Sequence, residues 1–261
     1  MLNNQRLLNL ITVGLLVLGT VPTIAQPIAQ PATNPSKTTH SKLPRVFFNP
    51  PSDDKKPTKT SGAGSRDGQC SQNAIPTTEA NSSSTQGYLM SLVPTTNFGL
   101  TIAEHPTLWI YLPETSARQL VLSIMEQGTK HHSQTFVSIT GDSGIISLQP
   151  SPDSPSLEIG KAYELVVMLV CEQRPSLNDP RISSWISRIS LPQPKNQGTV
   201  LEQAAWYAEQ GIWYDALDTL VQARRSQPNN QDLMNIWAEF LDSGGLKEIA
   251  TEPLVFLPAA K

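Results

Sequence analysis

A chain of 261 residues with 22 prolines, 16% charged residues and a formal net charge of −3 has room for one or two domains. The charge is uneven: residues 26–68 hold seven basic and three acidic side chains, and from Gln69 onward there are eleven basic and nineteen acidic. So acidic a body excludes nucleic acid as a partner. The chain carries no glycine-rich phosphate loop, Cys-His constellation, paired catalytic carboxylates or spaced metal-ligand motif, so neither a cofactor nor a metal is expected.

The chain opens MLNNQRLLNLITVGLLVLGTVPTIAQP. One basic residue, Arg6, precedes an uncharged apolar run from Leu7 to Val21, and Thr23, Ile24 and Ala25 then supply a small-residue cleavage site. Residues 1–25 therefore read as a secretory signal peptide, with an uncleaved membrane anchor as the alternative. No cysteine follows the apolar run, which argues against a lipoprotein. Residues 26–86 are dense in Pro, Ser, Thr, Lys and Gly and read as a disordered tether whose one sticky point is Val46, Phe47 and Phe48. Its basic balance leaves membrane contact to the signal segment or the tether.

Residues 87–194 change character. Short apolar runs (YLMSLVP, TLWIYLP, RQLVLSIMEQ, TFVSIT, GIISLQP, KAYELVVMLVCE, ISSWISRISLP) are separated by turn residues. Leu120, Leu122 and Ile124 share one side, as do Tyr163, Leu165, Val167, Leu169 and Cys171, and period two marks half-buried antiparallel strands. Seven such runs predict an immunoglobulin-like β-sandwich. Residues 195–261 turn helical: Ala204, Tyr207 and Ala208, then Ala216, Leu220 and Ala223, recur at helical spacing. At an offset of 34, Tyr207, Gly211 and Ala216 find Leu241, Gly245 and Ala250. The pattern is similar to a tetratricopeptide repeat, one good copy and one degraded copy stopped by Pro253, and predicts a pair of helical hairpins leaning on the sandwich. The fold class is thus α+β.

In an exported chain Cys70 and Cys171 read as a disulfide, with two independent thiols as the alternative. A bridge closing about 100 residues removes ~4.7 kcal/mol of unfolded-state entropy on the chain-entropy model. Trp109 and Tyr111 share a face of a strand whose other face carries Leu108, Ile110 and Leu112. They read as packing against the helices or as a ligand platform for a glycan. Trp213, Tyr214 and Trp237 divide between fastening the helices and forming an interaction surface. Gly141, Asp142, Ser143 and Gly144 match a serine-protease turn, but His105 lies 38 residues upstream with no second aspartate between, and a plain β-turn suffices. His131 and His132 are adjacent and suit a hairpin tip better than chelation. Glu202, Glu209, Asp215 and Asp218 read as a solvated helical face, with Asp215 favoured at a helix start.

In this order, TTNFGLTIAEHPTLWIYLP, LEIGKAYELVVMLVCE, SWISRI and WYAEQGIWYDALDTL resemble the cyanobacterial family catalogued as domain of unknown function 928, over roughly residues 70–254. The resemblance implies an exported protein with a paired cysteine and no assigned activity, and it transfers no site residues. The expectation is a non-enzymatic adaptor in the periplasm, outer envelope or extracellular space, binding another envelope protein. A glycan-binding module is the alternative, and a hydrolase built on Ser143 a remote third.

Overall fold

Alternating side chains build most of the sheet structure. The computed structural model describes residues 43–51, 70, 88–127, 130–191 and 198–257. The expected signal peptide, and the expected tether apart from 43–51 and Cys70, lie outside the described residues. Among the described residues there are eight strands: β1 (Met90–Ser91), β2 (Phe98–Thr101), β3 (Leu108–Leu112), β4 (Gln119–Glu126), β5 (Lys130–Ser138), β6 (Gly144–Leu148), β7 (Ala162–Val170) and β8 (Arg181–Arg188). In β4 and β7 the apolar set foreseen from period two is buried, with Val121 and Val170 buried beside it and Cys171, just past β7, only half-buried, and the strands pair antiparallel with Leu122 opposite Val167 and Ile124 opposite Leu165. They occupy the middle of a five-stranded sheet ordered β2-β8-β7-β4-β5, and the second sheet is ordered β1-β3-β6.

The expectation of purely antiparallel strands needs correcting. β2 runs parallel to β8, from Phe98 opposite Trp185 to Thr101 opposite Arg188, so the five-stranded sheet is mixed. β2 is also a strand that periodicity did not show, because FGLT has four residues and includes Gly99. That glycine has a packing role: a Cβ there would lie 2.8 Å from Cε2 of Tyr214. The close approach it allows seats a helix directly on the sheet edge.

Three helices follow, α1 (Val200–Glu209), α2 (Trp213–Ser226) and α3 (Gln231–Ser243), then a single 3₁₀ turn at Lys247–Ile249. Thr199 and Glu202 form a reciprocal capping box at the start of α1, and the Asn230 side chain accepts from the backbone of Asp232 and Leu233 to start α3. The 34-residue offset survives in the backbone, since Gly211 (φ 74°) and Gly245 (φ 79°) both make left-handed turns. The second copy does not reach a second hairpin. After Gly245 the chain makes only the 3₁₀ turn, and residues 253–255 then pair with β6: Ile145 N–H donates to the Pro253 carbonyl (2.7 Å) and Val255 N–H to the Ile145 carbonyl (2.8 Å). The expected pair of hairpins is therefore one hairpin, α1–α2, plus α3.

Residues of both sheets and all three helices share one hydrophobic core. The sticky point of the expected tether belongs to it: Val46 and Phe48 are each 1% exposed. Cys70 and Cys171 form a disulfide with Cα atoms 5.0 Å apart. Cys171 follows directly on β7, a central strand, and the Ser116 hydroxyl donates to the Cys70 carbonyl. The bridge thus ties the approach to the first strand to the middle of the larger sheet.

Candidate functional site

The aromatic residues expected to meet a partner or ligand are inside the protein. Trp213 is fully enclosed, stacked on Phe240 with ring centroids 4.5 Å apart and met edge-on by Phe48 at 4.9 Å. Its indole N–H donates to the Leu92 carbonyl at 2.7 Å. Tyr214 is buried, and its hydroxyl donates to the Trp185 carbonyl at 3.2 Å. Trp237 is buried with its N–H on the Ala250 carbonyl at 3.0 Å, and the Arg224 guanidinium lies over its ring. All three fasten α2 and α3 and leave no ring for an interaction surface. The platform residues fare the same way: Trp109 and Tyr111 are each 3% exposed, with Trp109 meeting α2 at Asp218 and Tyr111 meeting the Ser143 hydroxyl, so both faces of β3 are covered as its two-sided apolar pattern requires. The protease turn is not assembled either, since Ser143 pairs with the Tyr111 hydroxyl (3.2 Å) and the His105 ring with the Ser154 carbonyl (2.9 Å).

What the helices do open on is a polar cleft of about 240 Å³ beside the start of α2, lined chiefly by Thr101, His105, Thr107, Tyr207, Asp215 and Asp218. Two walls make it. The chain from the end of β2 to the start of β3 supplies one wall, and α1 and α2 supply the other. Asp215 and Asp218 stand three residues apart and so share a face of α2. That face is half-buried against the sheet side of the cleft rather than fully solvated, which corrects the reading of both as part of a solvated surface. Glu202 and Glu209, read with them, are exposed.

Each carboxylate is tied to the sheet side. Ile102 N–H donates to Oδ2 of Asp215 at 3.2 Å, and the Thr101 hydroxyl adds a second bond. Trp109 Nε1–H donates to Oδ1 of Asp218 at 3.2 Å, with Thr107 and Gln222 as further partners. Burial pushes the Asp215 carboxyl up to about 6, against the pull of those hydrogen bonds and with a further push from the Asp218 charge. Burial likewise raises Asp218. Like charges in a desolvated place favour protonation. Among the described residues neither carboxylate forms an ion pair, although Arg188–Glu104 and Lys161 with Glu126 and Glu158 do so elsewhere.

Residues 61–254 match the family described as Domain of Unknown Function (DUF928). The chain belongs to the DUF928 family. No curated protein and no solved structure matches it. This DUF928 chain has, among its described residues, no cluster of three or more His, Cys, Asp or Glu side chains suited to a metal ion and no helix long and apolar enough to cross a membrane. Chemically, the cleft offers carboxylate acceptors beside hydroxyl groups. It can hold a compact hydrogen-bond donor, and a carboxyl near 6 can also exchange a proton close to neutral pH. Sequence reasoning missed the pair because the groups that bury it, Ile102 and Trp109, lie 113 and 109 residues away.

Proposed function

We propose that the protein is an exported, non-enzymatic adaptor that takes the ammonium group of a lysine side chain on another envelope protein into the Asp215–Asp218 cleft. The observation that carries this reading is the pair of desolvated carboxylates without a counter-ion among the described residues. Keeping such a pair ionised costs stability, and a cation seated between them removes the cost. The cavity of about 240 Å³ is below the range typical of drug-sized ligands and suits one compact head group. Export is supported by the disulfide, which persists in oxidising compartments. The glycan reading rested on Trp109 and Tyr111, and both rings are enclosed.

The test is a backbone NMR titration of the full chain with Nα-acetyl-lysine methylamide, against its Nε-acetylated neutral analogue. The free amine shifts the amides of Thr101, Ile102 and Thr107, the neutral analogue does not, and Asp215→Asn with Asp218→Asn abolishes the response. Equal responses to the two compounds sink the proposal.

A further inference from the structure

A second surface lies at the other side of the helical hairpin, and a piece of this chain already occupies it. Residues 43–51 run across the turn between α1 and α2 and the end of α3. Val46 and Phe48 point in, both 1% exposed, while Phe47 between them points out and is 59% exposed. This alternation is that of an extended strand. Phe48 enters edge-on against Trp213. Its N–H donates to the Ser243 hydroxyl at 3.0 Å, the next N–H, that of Asn49, donates to the Ala208 carbonyl at 3.0 Å, and the Asn49 side chain donates to the Glu209 carbonyl at 3.4 Å. The floor of the groove is shaped for a backbone: a Cβ on Gly211 would lie 3.0 Å from the Asn49 carbonyl oxygen and 3.2 Å from Pro51. Arg45 adds an exposed ion pair to Glu239 of α3.

This is how protein grooves read extended peptides, with main-chain hydrogen bonds for affinity and side-chain wells at alternate positions for specificity. The contacts are local to a short segment. Eighteen residues separate Pro51 from Cys70, which the disulfide to Cys171 holds to the body, so the segment is covalently kept near the groove and its docking is intramolecular. The groove therefore stays filled from within unless a competing segment binds more tightly. We propose that it is a docking site for extended peptide segments of a partner protein bearing two apolar residues in alternation followed by asparagine, with residues 45–49 as the resident, displaceable occupant. The surface is separate from the carboxylate cleft, although α1 serves both: Tyr207 lines the cleft and Ala208 holds the segment.

The experiment measures binding of a fluorescent peptide LPRVFFNP, which copies residues 43–50, to the full-length protein and to its Phe48→Ala variant. The variant binds the peptide at least tenfold more tightly than the unaltered chain, and a peptide carrying the same Phe→Ala change binds neither. Absence of binding to a folded variant overturns the proposal. Because Phe48→Ala can itself unfold the protein, a second arm places a specific protease site between residues 56 and 62 and cuts the folded full chain there. Excess LPRVFFNP then displaces the N-terminal piece. Retention of that piece at millimolar peptide, or collapse of the protein on cutting, marks the segment as a permanent part of the fold and overturns the proposal.

Discussion

The first two turns of α2 carry two pairs of side chains in contrasting situations. Trp213 and Tyr214 are enclosed, and each has its polar atom satisfied by a backbone carbonyl of the sheet region. Asp215 and Asp218, one to five residues further on, are only partly buried and line a cleft. An ionised carboxylate accepts at about four lone-pair positions, so the donors from Ile102 and Thr101 to Asp215 and from Trp109, Thr107 and Gln222 to Asp218 leave capacity unused. A contact with nothing left to offer is a fastening. A contact held at a cost to its own charged state, and still able to accept, is where a ligand belongs. The comparison separates the part of α2 that holds the fold from the part that meets something else.

The largest effect should come from breaking the fastening. Trp213→Ala removes a ring that touches Phe48, Phe240 and Gly244 and should lose about 3–5 kcal/mol in urea unfolding. A loss under about 1 kcal/mol would mean that the ring is not the fastening. Replacing both Cys70 and Cys171 by Ser should lose about 2–4 kcal/mol while leaving the Ile102 and Thr107 amide shifts unchanged, since the bridge lies apart from the cleft. Gly99→Ala forces a methyl toward Tyr214 and should lose about 1–3 kcal/mol, read by thermal unfolding.

The last effect, and the one that depends on pH, concerns Asp215. Its folded value of about 6 lies above its ordinary 3.8, so the folded state favours the protonated form. The associated stability is complete below about pH 3.8 and is lost as pH rises through about 6. The unaltered protein should therefore lose roughly 2–3 kcal/mol across that window, as an order of magnitude, and Asp215→Asn should flatten this part of the curve and gain stability at pH 7.5. A variant that is less stable at pH 7.5 would show that the carboxylate is a fastening after all.

How much of this could be read from the chain follows a physical line. The inward faces of β4 and β7, the two-sided burial of β3, the turn at Gly211 and the cysteine pair were legible because local period, backbone freedom and compartment chemistry announce them. β2 was not, being four residues long with a glycine. The docking of Val46 and Phe48 was half legible: their apolar character stood out, but the proline- and serine-rich sequence around them masked the groove that receives them. The cleft was not legible, because a helical face of acidic residues looks the same whether water or a distant loop lies over it.

The most direct test of the central claim is a ¹³C titration of the Asp215 side-chain carboxyl in the folded full-length chain, with and without saturating Nα-acetyl-lysine methylamide. A midpoint near 6 in the free protein that falls by one unit or more with the amine is the predicted result. A midpoint near 4 in the free protein, or one that the amine does not move, would contradict the account.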